Sequence, residues 1–237
     1  MPAHTPPARP AESPALDIRA LRFRYSPAGP WVVDIPAFSL VRHEQALLTG
    51  GSGAGKSTLL QLACGLLEPV EGELAIAGQN LHALHGARRD LYRGAHVGMI
   101  FQTFNLLTGF TAAENVLAAL MFSTIPHREH RSRAVEALKS LGLPDPDALV
   151  DRLSVGQQQR VAVARAVVCD PVLVLADEPT ASLDPENSDA AMTLIQESCR
   201  ARGAALLCVS HDPSMASRFP RRVALRDLNR AREGVAP

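Results

Sequence analysis

Eight residues constrain this chain more than any others: Gly50-Gly51-Ser52-Gly53-Ala54-Gly55-Lys56-Ser57. They satisfy G-x-x-x-x-G-K-[ST]. They also stand where that pattern has meaning, between a short apolar run, Gln45 to Thr49, and a stretch of helical spacing, Ser57 to Leu67. Glycines let the backbone wrap closely enough for consecutive N–H groups to point at phosphate oxygens, and the start of the helix adds its dipole. Lys56 supplies a point charge to the β- and γ-phosphates, and the Ser57 hydroxyl suits a Mg²⁺ ion. Among 24 basic residues only Lys56 and Lys139 are lysines, so one of the two stands where the chemistry requires it. At this chain's own residue usage, chance would produce the pattern in roughly one such chain in a thousand.

The rest of the chain reads as an α/β protein built around that loop. Leu16 to Tyr25 alternates apolar and polar, with one slip near Ala20, and Trp31 to Leu40 continues as strand across Pro36. Glu73 to Ala77, His96 to Phe101, Val172 to Ala176 and Ala204 to Val209 are further strands. Helices are expected over His85 to Arg93 and Pro185 to Arg202. From Thr111 to Gly142 the period is helical throughout, broken at Pro126. Strand–helix alternation at both ends with helices between predicts a mostly parallel sheet and a smaller helical subdomain. The 237 residues carry 24 acidic and 24 basic side chains, which argues against a general nucleic-acid binder. Apolar residues reach 46%, yet no apolar run is long enough to cross a bilayer. Cys64, Cys169, Cys199 and Cys208 are widely spaced and read as reduced core thiols. Residues 1–14, with five prolines, read as a disordered tail.

A second constellation supports the first. Val172 to Ala176 ends in Asp177-Glu178, which places Asp177 to hold Mg²⁺ and Glu178 to orient or deprotonate an attacking water. Ahead of it lies Leu153-Ser154-Val155-Gly156-Gln157-Gln158-Gln159-Arg160. Together these residues resemble the ATP-binding cassette (ABC) ATPases, and the resemblance covers about residues 16 to 230. Further positions fall in that family's order. Tyr25 matches the aromatic residue that stacks on adenine, and Gln102 the glutamine of the loop after the strand ending in Phe101. Ser182-Leu183-Asp184 matches the D-loop, and His211 the switch histidine.

The resemblance implies a phosphate-loop ATPase fold: a RecA-like core with an antiparallel β subdomain and an inserted helical subdomain. It sets residues 15–230 as one ABC ATPase domain (core 15–102 and 166–230, helical subdomain 103–165), followed by a flexible end at 231–237. It implies ATP and Mg²⁺ as cofactors. Glu178, His211 and Gln102 would be catalytic, with Ser57, Gln102 and Asp177 serving the metal. Nucleotide contacts would come from Tyr25, from Gly50 through Thr58, and from Ser154, Gly156, Gln157 and Asp184. Ser154, Gly156 and Gln157 would act on the nucleotide held by a second copy, in an ATP-bound head-to-tail homodimer. One departure is plain. Val155 stands where the family has glycine, so the backbone there is expected in an ordinary region, because a β-branched residue disfavours positive φ.

Finer resemblance, in Phe101-Gln102-Thr103-Phe104-Asn105-Leu106-Leu107, Thr111 to Val116 and Ser154 to Ala166, is to the lipoprotein-releasing and macrolide-export branch (LolD/MacB-like). That branch implies a separate permease, MacB/LolC/LolE-like. The cassette would then be peripheral on the cytoplasmic face of the inner membrane, and no nucleic acid would be involved. A permease helix would dock beside Gln102 and residues 103 to 125. The apolar residues Val116, Leu117, Leu120, Met121 and Phe122 would line that groove or form the subdomain's own core. The alternative is an FtsE-like regulatory ATPase that signals through a permease-like partner without transport.

Overall fold

The computed structural model describes residues 13–51, 53–181 and 183–232. The proline-rich segment 1–12, Ser52, Ser182 and 233–237 lie outside the described residues. A four-stranded antiparallel sheet opens the chain: β1 (Leu16–Phe23), β2 (Val33–Leu40), β4 (Glu71–Ile76) and β5 (Gln79–Asn80), in the order β2-β1-β4-β5. Pro36 is tolerated because β2 is an edge strand, where a missing N–H costs no ladder bond. The slip near Ala20 is a bulge. Ala20 has φ 48, and the pairing of β1 with β4 shifts between Arg19 and Arg22.

The second sheet contains β3 (Gln45–Thr49), β6 (Val97–Ile100), β7 (Leu173–Asp177), β8 (Ala205–Val209) and β9 (Arg221–Ala224), ordered β6-β7-β8-β3-β9 with every pair parallel. Continuous apolar runs such as Leu173-Val174-Leu175-Ala176 arise because both faces are covered. Leu173 and Leu175 pack with the antiparallel sheet and α1 (Lys56–Ala63), while Val174 and Ala176 face the helical layer. That layer contains α3 (Ala112–Leu120), α4 (His127–Ser140), α5 (Val155–Val167) and α6 (Pro185–Ala201). A further helix, α2 (Ala87–His96), precedes β6, and the short α7 (Leu225–Leu228) follows β9. Residues 230–232 close the described chain as a 3₁₀ turn, held where the Ala231 N–H donates to Asn229.

The expected end of the helix after the loop moves for a local reason. α1 stops at Ala63 and not at Leu67, because Gly65 takes φ 67 and the chain reverses there, with the Leu66 N–H donating to the Gln61 carbonyl. Leu66 is left exposed. Of the apolar residues 116–122, Val116 and Leu120 are fully buried and Leu117 packs against the same core, while Met121 and Phe122 are exposed. The subdomain core claims three of the five. All four cysteines are free; burial pushes the Cys64 and Cys199 thiols up to about 12 and Cys169 to about 11. Among the described residues no helix is long and apolar enough to cross a membrane.

Candidate nucleotide site

The parallel sheet builds the site. In a sheet of one direction every strand ends on the same edge, and ligands bind outside those carboxyl ends. Gly50 follows β3, Gln102 follows β6, Asp177 and Glu178 end β7, and His211 follows β8. Gln102, Asp177, Glu178 and His211 converge on a cleft of about 730 Å³ lined also by Tyr25, Val32 and Gly53 through Thr58. Gly50 and Gly51 line an adjoining hollow on the other side of the loop, with Leu225 and Asn229.

Within the loop the Lys56 ammonium donates to the Gly50 and Gly51 carbonyls at 2.7 and 3.0 Å. It thereby holds these two carbonyl oxygens against its own charge, within the loop. Gly55 caps α1 with φ 97, and a Cβ there would stand 2.9 Å from the Val32 carbonyl oxygen. Both facts exclude a side chain. Tyr25, 66% exposed, sits edge-on to Phe23, and its hydroxyl shares a 3.0 Å hydrogen bond with that of Thr58. The aromatic ring therefore stands at the mouth of the cleft.

On the opposite wall, burial pushes the Asp177 carboxyl above the usual carboxylate range and the neighbouring Glu178 charge adds to this. The Ser57 hydroxyl bond and the Lys56 charge oppose both. An anion held this way, beside a hydroxyl, suits a hard cation with oxygen ligands. No cluster of three or more His, Cys, Asp or Glu side chains able to hold a metal occurs among the described residues. Such an ion would therefore take its remaining ligands from phosphate and water, as Mg²⁺ commonly does. Glu178 has φ 46, unusual for a residue with a side chain, and its N–H donates to the Val209 carbonyl at 3.0 Å. Its carboxylate lies 2.8 Å from His211 Nδ1 and accepts from the His211 backbone N–H at 3.3 Å. A carboxylate that lines the cleft from a left-handed backbone position, beside an imidazole, suits a general base with an orienting partner.

Four further candidates do not line this cleft: Ser154, Gly156, Gln157 and Asp184. Ser154 caps α5, its hydroxyl accepting from the Gln157 N–H at 3.3 Å while Gln157 Oε1 accepts from the Ser154 N–H at 2.9 Å. Val155 opens α5 with no positive φ, as its β-branch requires, and is 51% exposed. Open space surrounds the position a Gly156 side chain would take. Asp184 caps α6, accepting from the Asn187 N–H at 3.0 Å. Of the glutamine run, Gln159 is buried and donates to the Pro179 carbonyl at 3.5 Å, tying α5 to the segment after Glu178.

Two residues have supporting roles that the sequence did not signal. Asn115, fully buried, accepts from the Leu107 N–H and donates to the Leu107 and Thr111 carbonyls. Arg165 donates to the Phe104 and Asn105 carbonyls at 2.5 and 2.6 Å. Together they hold the segment that follows Gln102. Their hydrogen-bonding partners are backbone groups, which no residue pattern displays.

Parallel-sheet fold and strand-edge cleft together define a phosphate-loop nucleotide-binding protein. The chain belongs to the ABC transporter family, whose model matches residues 33–181, and it is an ATP-binding, ATP-hydrolysing subunit of that family. It is 43% identical over 186 residues to the lipoprotein-releasing system ATP-binding protein LolD 1 of Rhodospirillum rubrum, covering 78% of this chain and 82% of that protein. Among solved structures it is similar to the dimeric bacterial ABC transporter cassette MJ0796 (TM-score 0.76, 31% identity, 88% of this chain and 93% of that one). A post-hydrolysis dimer of MJ0796 bound to ADP and Pi matches at the same TM-score of 0.76 with 30% identity, covering 88% and 93%. CbiO1 of Clostridium perfringens, part of the ABC transporter complex CbiONQ, matches at TM-score 0.74 with 29% identity, over 85% and 80%.

Proposed function

We propose that this chain drives a separate membrane permease through ATP-dependent head-to-tail pairing of two copies, in a LolD-like releasing system on the cytoplasmic face of the membrane. One observation carries the reading. Lys56, Asp177, Glu178, His211 and Gln102 share one cleft, while the capped helix start at Ser154 and Gly156 lies outside it, with open space where a Gly156 side chain would stand. A helix start, with its backbone N–H groups and positive dipole, suits an anion. The anion it meets is the γ-phosphate held by a second copy.

In this reading Tyr25 stacks on adenine, and the N–H groups of Gly51 through Thr58, with Lys56, hold the phosphates. Ser57, Asp177 and Gln102 hold Mg²⁺, which supplies charge neutralisation at the phosphates when bound. Glu178 takes the proton of the attacking water, His211 orients it, and Gln102 and Asp184 complete the closed face. Loss of the γ-phosphate removes the contact that favoured pairing, and the copies part. The similarity to LolD 1, an ATP-binding protein of a lipoprotein-releasing system, supports a lipoprotein cargo and favours transport over FtsE-like signalling. The cargo would be recognised by the permease.

A groove of about 270 Å³ between α2, β6 and the helical layer suits the permease's coupling segment. Phe101, Leu66 and the exposed Phe122 line it. The domain limits proposed are residues 15–230, with the helical subdomain at 103–165. Lys56→Ala is the direct test. It should abolish most ATP affinity and hydrolysis while the protein stays folded, and wild-type turnover in that variant would end the reading.

A further inference from the structure

We infer that Asn229 is a strap that sets the spacing between the adenine platform and the phosphate loop, a positioning residue for ATP affinity; this rests on the nucleotide reading of the cleft. Asn229 follows α7, is 6% exposed, and uses every hydrogen-bonding position of its amide. Oδ1 accepts from the Asp34 N–H at 2.7 Å and the Ala231 N–H at 3.2 Å. Nδ2 donates to the Val32 carbonyl at 2.8 Å and, more weakly, to the Ala54 carbonyl at 3.5 Å. Two N–H partners on one side and two carbonyls on the other fix which way the amide faces.

The partners belong to three elements far apart in sequence. Ala54 is within the phosphate loop. Val32 and Asp34 stand at the base of the hairpin between β1 and β2, which the Val32 N–H closes by donating to the Phe23 carbonyl at 2.9 Å. That hairpin carries Tyr25. It also carries Trp31, the chain's single tryptophan, under the guanidinium groups of Arg22 and Arg24 at 4.0 and 4.5 Å from the ring centre. The Val32 carbonyl also lies against Gly55, where a Cβ would stand 2.9 Å away. One buried amide thus bonds the hairpin base and the loop at their point of contact. None of its hydrogen-bond partners carries the hydrolytic groups Glu178 or His211.

A ligand that touches both ends feels this spacing, and a ligand that touches one does not. ATP spans Tyr25 and the loop, whereas inorganic tripolyphosphate meets the loop alone. Asn229→Ala should therefore raise the ATP Kd and KM roughly tenfold, with kcat at saturation and the tripolyphosphate Kd each kept within about twofold. Trp31 emission should shift in the absence of ligand as the hairpin base loosens. Asn229→Asp keeps both accepted bonds but turns an oxygen toward the Val32 and Ala54 carbonyls. It should give the same pattern even if the alanine variant folds poorly.

The test is titration of the full chain with ATP and with tripolyphosphate, for wild type and both variants, with Trp31 fluorescence and calorimetry as readouts. Equal losses for the two ligands would mean a folding defect of the loop and would overturn the strap. So would an ATP affinity unchanged in both variants, or a fall in kcat with affinity intact. A wild-type chain that binds neither ligand would overturn the nucleotide reading itself and the strap with it. Wild-type binding with silent variants would overturn the strap alone.

Discussion

Arg165 clamps the segment that follows Gln102. It projects from α5, the helix that begins at Ser154, and its two terminal nitrogens grip the carbonyls of Phe104 and Asn105. Those two residues hold φ 59 and φ 46, and each left-handed non-glycine residue costs about 1–2 kcal/mol. Two charge-assisted bonds at about 1.5–3 kcal/mol each offset that strain. The guanidinium itself is desolvated, and its pKa is lowered by burial, so truncation returns part of the gain. The net loss for Arg165→Ala is about 2–3 kcal/mol after that return, or a fall of about 4–12 °C in Tm for a domain of this size.

Because Gln102 stands two residues before Phe104, ATP hydrolysis should fall in step while tripolyphosphate binding at the loop persists. Arg165→Lys keeps the charge but not the fork and should recover less than half the loss. The assay is thermal unfolding with amide exchange over residues 103–107. A Tm change below about 1 °C, or amides as protected as in wild type, would refute the clamp.

Three other outcomes follow from single contacts. Gly98→Ala should cost more than about 2 kcal/mol by urea unfolding, because a Cβ there would stand 2.1 Å from the Ala166 carbonyl oxygen and force β6 off α5. Val155→Gly should shift folding stability by less than about 1 kcal/mol but change the ATP-driven pairing constant, since the half-exposed valine is on the proposed closing face; sedimentation equilibrium that found pairing unchanged would make the substitution neutral. Burial raises the Asp177 pKa, so its ionised form costs stability above the unfolded carboxylate pKa of about 4. Without nucleotide, Asp177→Asn should therefore raise Tm at neutral pH, with the gain shrinking as pH falls toward that value. A gain that grows on acidification would reverse the sign and the argument.

What the sequence displayed was what physics writes locally. β3, β7 and β8 are apolar on both faces, so their runs were continuous and their ends placed Gly50, Asp177 and His211. The loop's glycines and Lys56 are a local pattern, as is the bulge that interrupts alternation at Ala20. β9 was not legible, because Arg221-Arg222 reads as solvent-facing. In the structure Arg221 lies over the Phe38 ring at 4.9 Å and donates to Glu44 and the Ser39 carbonyl, so its charged head is served while its stem packs. The structural roles of Gln159, Asn115, Arg165 and Asn229 were silent for a related reason. Their partners are backbone groups, and a polar residue in a helix or loop carries no mark of that.

Head-to-tail closure is tested most directly by Glu178→Gln, a change that leaves the proposed nucleotide contacts in place and removes the proposed base. With Mg-ATP the variant should hydrolyse very slowly and double its mass, while the nucleotide-free protein does not. Wild-type turnover would contradict the role of Glu178, and a variant that binds Mg-ATP and stays monomeric would contradict the pairing of Ser154 with a second copy's nucleotide.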